Sequence, residues 1–230
     1  MKRKFRLLTA AVLMVGLLTL TLAGCGSGTD EEAAESAEPS SSAQNEESAV
    51  QTQEGSKVYE GDQLLSGLHH VEIDVKDYGT IALELDADTA PQSVSNFIAL
   101  ADSGFYDGLT FHRIIDGFMI QGGDPEGTGM GGSEDTITGE FAANGIENPI
   151  SHVRGVISMA RSQAYNSASS QFFIVQQDST YLDGQYAAFG KVTSGMEIVD
   201  AIAENTPVQD DNGTVLAEDQ PVMTAVRVID

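Results

Sequence analysis

Residues 111–124 read Phe111-His112-Arg113-Ile114-Ile115-Asp116-Gly117-Phe118-Met119-Ile120-Gln121-Gly122-Gly123-Asp124. The apolar residues on either side of Asp116-Gly117 predict two strands, Thr110 to Ile115 and Phe118 to Gln121. An Arg on the first strand sits among aromatic side chains and Met, with no acid, base or nucleophile constellation beside it. That grouping places a charged hydrogen-bond donor over an apolar cup.

Outward from this stretch the same signals recur. Val71, Ile73 and Val75 alternate with polar residues, as do Ile81, Leu83 and Leu85, and Asp77-Tyr78-Gly79 between them marks a hairpin. Pro91 near a start and Gly104 past an end bracket Val94, Phe97, Ile98 and Ala101, which share one helical face. Further strands are expected at Gly155 to Ala160, Gln171 to Gln176, Ala187 to Val192 and Val222 to Ile229, and a second helix at Met196 to Glu204. Many short strands, Gly-rich turns and only two helices predict a mainly β, antiparallel sandwich or barrel rather than a βαβ fold.

The first quarter of the chain is different. Met1-Lys2-Arg3-Lys4-Phe5-Arg6 precedes an apolar stretch from Leu7 to Ala23 and then Gly24-Cys25-Gly26, the pattern of an export signal. Leu22-Ala23-Gly24-Cys25 resembles a bacterial lipobox, which implies cleavage after residue 24 and acylation of Cys25. The alternative is an uncleaved membrane helix, and both tether the chain outside. Residues 25–56 are Ser, Glu, Ala, Gln and Thr with almost no large apolar side chain, the composition of a disordered tether about 30 Å in typical span. Residues 57–230 form the expected folded domain, held without a disulfide because Cys25 is the only cysteine. Four of the eleven Lys and Arg lie in the signal, which leaves seven against 35 Asp and Glu, net −28. Nucleic acid is therefore not an expected partner.

Two further islands accompany the first. Gly155-Val156-Ile157-Ser158-Met159-Ala160-Arg161 leads through Asn166-Ser167-Ala168-Ser169-Ser170 to Gln171-Phe172-Phe173-Ile174, and Tyr181-Leu182-Asp183-Gly184 precedes Phe189-Gly190-Lys191-Val192. In this order the three islands resemble the signatures of cyclophilin-type peptidyl-prolyl cis-trans isomerases, over about Val71 to Asp230. The resemblance implies a closed eight-stranded antiparallel β-barrel capped by two α-helices, acting on X-Pro bonds, the one peptide bond with two comparably populated isomers. It further implies that Arg113 is catalytic, that Phe118, Met119, Phe173 and Leu182 enclose the prolyl ring and that Gln121 steadies the flanking carbonyl. Backbone groups near Ala160 and Arg161 would hold the residue before proline, with Gln171 beside them and Tyr181 and Tyr186 at the rim. No metal or cofactor is implied. The expected partners are proline-containing unfolded or exported polypeptides and, through Cys25, the membrane; a monomer is expected.

Tyr181, Tyr186 and Arg161 stand where the better-known eukaryotic members carry Trp, His and Asn, so cyclosporin binding is expected to be weakened while turnover survives. Other features have plainer readings. Phe111, Ile114, Ile115 and Phe172 are expected in the core, and His112 is expected to pack, since isomerisation moves no proton. Gly127-Thr128-Gly129-Met130-Gly131-Gly132 matches a dinucleotide-binding spacing but lacks its helix and reads as loop. Asp210-Asp211-Asn212-Gly213 reads as a hairpin turn rather than a calcium loop. The rival function is a non-catalytic peptide-binding or holdase lipoprotein using the same groove.

Overall fold

The computed structural model describes residues 56–230; the expected signal peptide, Cys25 and residues 26–55 of the tether lie outside the described residues. In chain order the strands are β1 (Ser56–Lys57), β2 (Leu68–Val75), β3 (Gly79–Asp86), β4 (Thr110–Ile115), β5 (Met119–Asp124), β6 (Thr136–Ile137), β7 (Val156–Met159), β8 (Phe172–Val175), β9 (Ala188–Ser194) and β10 (Met223–Val228). The helices are α1 (Pro91–Asp102) and α2 (Met196–Asn205). Eight strands form one antiparallel sheet in the order β10-β2-β3-β9-β7-β8-β5-β4, and β1 pairs in parallel with β6. Ser56, expected at the end of the tether, is thus already paired with Thr136.

The hairpin forms because its alternation is strict. Val71, Ile73 and Val75 on β2 and Ile81, Leu83 and Leu85 on β3 are all buried, facing the same side of the sheet. Asp77 takes the left-handed conformation the turn requires, one that Asp tolerates better than most residues. Inside the curved sheet Phe97 of α1 meets Tyr106, Phe172 and Phe189 at ring separations of 5.0, 5.3 and 5.4 Å, and Phe111 reaches Phe172. These fully buried rings carry the largest apolar areas of the core.

Helix α1 starts at Pro91 as expected, but its N-cap is Ala90, whose side chain cannot accept a hydrogen bond. Glu140 supplies the missing acceptor from the loop after β6, taking the Gln92 and Ser93 N–H groups (both 2.8 Å) and the Ser93 hydroxyl (2.6 Å). A buried carboxylate at a helix N-terminus satisfies orphan donors and meets the positive end of the dipole. Burial still pushes the Glu140 carboxyl above its ordinary value, with the three hydrogen bonds acting against that.

The expectation of a closed barrel needs one correction. The ladder is open between β4 and β10, which meet only near an isolated bridge, Thr110 to Val222. The partner of β4 is split in two. At its start the Phe111 N–H donates to the Pro221 carbonyl (3.0 Å), while Pro221 has no N–H to return. Further along, Ile114 donates to the Gly213 carbonyl (2.8 Å) and Val215 to the His112 carbonyl (3.1 Å). The loop between residues 215 and 221 breaks what would be one continuous strand, yet the edge of β4 is covered.

Candidate active site

Four neighbouring strands place one row of residues in register: Arg113 on β4 faces Gln121 on β5, which faces Phe173 on β8, which faces Ser158 on β7. Arg113 owes its direction to a bulge. Phe111 pairs with Gly122 and Arg113 with Gln121, so β4 spends one extra residue, His112, against a single step of β5. Without the bulge, residues 111 and 113 would share a face. With it, Phe111 enters the interior core while Arg113 turns outward. His112 itself is buried, as expected, and burial holds its imidazole below the ordinary value against the opposing charge of Asp124.

The Arg113 guanidinium is held on both sides. Nε donates to the Asn212 carbonyl (2.8 Å) and Nη2 to Asn212 Oδ1 (3.3 Å), while Nη1 donates to Gln121 Oε1 (3.1 Å). The relay continues from Gln121 Nε2 to Gln171 Oε1 (2.8 Å) and from Gln171 Nε2 to the Gly131 carbonyl (2.7 Å). Arginine only donates, so each carboxamide orientation in this chain follows from the one before it. Burial lowers the Arg113 pKa, opposed by Tyr186, Asp210 and Tyr181. A guanidinium has five N–H groups; Nη1 also points at the Met119 sulfur (4.0 Å), which leaves one N–H, on Nη2, uncommitted for a ligand.

Beside Arg113 lies a cavity of about 210 Å³, below the range of about 300–1,000 Å³ usual for drug-sized ligands. Met119 and Phe173, almost wholly buried, belong to a small apolar cluster outside the main core, with Phe118, Leu182 and Tyr186 packed around them. These five line the cavity with Arg113, Gln121, Ala160 and Arg161. Gln171 lines instead a larger neighbour of about 490 Å³, which shares Gln121, Ala160 and Arg161 and is otherwise walled by Gly129–Ser133, Ser162, Ser167 and Ser169. Tyr181 lines neither; it is 64% exposed, with its ring 6.0 Å from that of Phe118. For Arg161 only a backbone role is expected from the sequence, but its side chain is itself engaged, donating to the Gln185 and Ser162 carbonyls.

Two contributors escaped the sequence reading. The sequence marks Asn212 only as part of a turn. That turn is present, closed by Gln209 N–H to the Thr214 carbonyl (2.8 Å) and by Asp210 accepting from Thr214. A Cβ at Gly213 would collide with the Ile114 carbonyl, so only glycine brings the turn this close to β4. His152, fully buried, binds Asp183 (2.9 Å) and Ser158 (3.0 Å) through its two ring nitrogens and stacks on Phe173 at 6.0 Å. Burial holds its imidazole low, with Asp183 opposing. No local signal marks either residue; the Asn-Gly pair foretells a turn but not what the turn faces. The Gly-rich segment 127–132 is loop as expected, and the buried Asp124 carboxylate organises its start by accepting N–H groups from Glu126, Thr128 and Gly129.

The family model for the cyclophilin type peptidyl-prolyl cis-trans isomerase matches residues 70–228. A peptidyl-prolyl cis-trans isomerase of Helicobacter pylori is 47% identical over 133 residues, covering 57% of this chain and 78% of that protein. Peptidyl-prolyl cis-trans isomerase B of Bacillus subtilis is 48% identical over 123 residues, 54% of this chain and 82% of its own. A crystal structure of a Cryptosporidium parvum cyclophilin type peptidyl-prolyl cis-trans isomerase superposes with a TM-score of 0.63 at 33% identity, covering 71% of this chain and 99% of that one. A second structure of that protein was determined in the presence of the dipeptide Ala-Pro, with a TM-score of 0.62 at 34% identity, covering 70% and 99%. From strand order, site geometry and these matches together, the chain belongs to the cyclophilin-type peptidyl-prolyl cis-trans isomerases.

Proposed function

We propose that this chain accelerates X-Pro rotation in exported polypeptides as they fold, with Arg113 as the catalytic residue. The observation that carries the reading is a guanidinium anchored by Asn212 and Gln121, with an N–H to spare, beside a small cavity into which Phe118, Met119, Phe173 and Leu182 bring apolar walls. Amide resonance opposes rotation with a barrier of about 18–20 kcal/mol. As the bond twists, the prolyl nitrogen becomes pyramidal and its lone pair becomes an acceptor, to which Arg113 donates. Phe118, Met119, Phe173, Leu182 and Tyr186 hold the ring still while the preceding carbonyl swings, and Gln121 steadies the flanking carbonyl. The Ala160 N–H is committed to the Gln171 carbonyl (2.9 Å), so the hold on the residue before proline falls to the Ala160 carbonyl and the Arg161 N–H.

One charge-assisted hydrogen bond contributes about 1.5–3 kcal/mol, which at about 1.36 kcal/mol per tenfold is roughly 10–150-fold in rate. The remainder is assigned to tighter binding of the twisted amide than of either planar isomer, in a site drier than water. The Ala-Pro dipeptide named with the Cryptosporidium parvum structure supports the same ligand chemistry. The test is exchange of a proline peptide by the full chain and by Arg113→Ala. Equal rates remove Arg113 from the chemistry. Inactivity of both leaves the peptide-binding lipoprotein as the reading.

The N-terminal pattern supports a second part of the proposal, that the mature chain is acylated at Cys25 and works outside the cytoplasm on a membrane tether. Cys25→Ser should abolish acyl labelling and release or mislocalise the protein; unchanged labelling refutes it.

A further inference from the structure

We propose that the Arg161 side chain is a positioning residue that sets the width of the prolyl pocket, an inference that rests on the isomerase reading above. Its guanidinium donates from Nε and Nη2 to the Gln185 carbonyl (2.9 and 2.8 Å) and from Nη1 to the Ser162 and Gln163 carbonyls (2.8 and 3.3 Å). The same group lies against three rings, 4.7 Å from the centroid of Tyr186, 5.0 Å from Phe141 and 5.2 Å from Tyr165. Among the described residues it makes no ion pair, although the chain carries 35 Asp and Glu. With its donors turned to carbonyls and its face to π-systems, this cation is spent on holding two segments together rather than on grasping a ligand.

What it holds decides the role. Gln185 and Tyr186 belong to the turn that also carries Leu182, closed by Gln185 N–H to the Leu182 carbonyl (3.0 Å). Leu182 and Tyr186 are two walls of the smaller cavity, and Tyr186 packs edge-on against Phe173 at 6.0 Å. The guanidinium therefore ties that wall to the 161–163 segment, on the boundary between the two cavities. A lysine nitrogen keeps the charge but not the fork, and cannot bind Gln185 and Ser162 in this geometry while covering three rings.

The experiment measures kcat and KM of the full chain and of Arg161→Met, Arg161→Lys and Tyr165→Leu on an Ala-Pro peptide and on its analogue with the six-membered pipecolate ring. Tyr165 is 43% exposed and lines neither cavity, so its variant touches the clamp without entering the pocket. Arg161→Met is expected to raise KM for Ala-Pro about 5–20-fold with kcat within about threefold, from the lost cation–π contacts and hydrogen bonds. Discrimination against pipecolate should narrow in parallel, with Arg161→Lys no better and Tyr165→Leu shifted about 2–3-fold the same way. Wild-type turnover with unchanged KM and discrimination in Arg161→Met and Tyr165→Leu overturns the inference alone, as does full rescue by Lys. A wild-type chain that turns over neither peptide overturns the isomerase reading and this inference with it.

Discussion

Replacing Arg113 by Lys separates charge from geometry at the reacting bond. The guanidinium plane is fixed through three different nitrogens, at 2.8 and 3.3 Å on Asn212 and 3.1 Å on Gln121, and the remaining N–H groups inherit their aim from those anchors. Lysine brings one nitrogen with three N–H groups. If it satisfies the carbonyl of Asn212 and the carboxamide of Gln121, one donor is left, directed by tetrahedral geometry rather than by the pocket. Hydrogen bonds weaken steeply below about 120°, so most of the roughly 1.5–3 kcal/mol of a charged bond is forfeited. The expected result is a fall in kcat/KM of about 10–100-fold, with kcat falling in step and KM within about threefold, because the apolar walls still bind the ring. Exchange spectroscopy on a proline peptide, run over a concentration series, reads both constants. Turnover by the Lys variant at the wild-type rate would show that any positive charge suffices and that the anchoring is irrelevant. Asn212→Ala, which removes only the 3.3 Å contact and keeps the backbone carbonyl, should lower kcat by no more than about fivefold.

Glu140→Gln should destabilise the fold by about 1–3 kcal/mol, because an amide presents one acceptor where three donors converge; urea unfolding with an unchanged m-value checks this, and an unshifted midpoint contradicts the capping role. Phe172→Ala, which removes a ring in contact with Phe97, Tyr106 and Phe111, should destabilise by about 3–5 kcal/mol in the same assay. Burial holds both His112 and His152 below the ordinary imidazole value. The unfolded chain takes up their protons near pH 6.5, so this contribution is complete above that pH and declines as pH falls toward the folded values. Stability should therefore drop as pH falls below about 6.5, by up to about 2.7 kcal/mol per pH unit if both titrate. A midpoint that stays constant as pH falls below about 6.5 contradicts their buried neutral state.

The elements were legible in the chain because their signals are local. Pro91 opens α1, the alternation of residues 71–85 gives the first hairpin, and α2 begins at Met196 as read. The ends of β4 match the expectation, while other strand ends moved by one to three residues, most at β5, which extends to Asp124 because Gly122 pairs with Phe111 and Asp124 with Thr110. The apolar residues of the pocket were legible too, since they lie within the three motif islands. What was not legible depends on contacts remote in sequence. Asn212 lies 99 residues from Arg113, Glu140 lies 48 from the N–H it caps, and His152 lies 31 from Asp183. The bulge at His112 was equally hidden, because a pairing offset is a property of two strands and leaves no mark on one. Arg161 was assigned a backbone role because its partners, two main-chain carbonyl segments and three rings, share no recognisable motif.

The short parallel pair at the start of the domain has a practical corollary. Ser56 lies beside Thr136 and donates to the Asn166 carbonyl (3.3 Å), one residue from Ser167 in the wall of the larger cavity. A probe attached at Ser56 itself would therefore sit close to the Ser167 side of the larger cavity. A short photo-crosslinker there would report whether peptide chains pass that side, and a bulky group at the same place whether they are hindered.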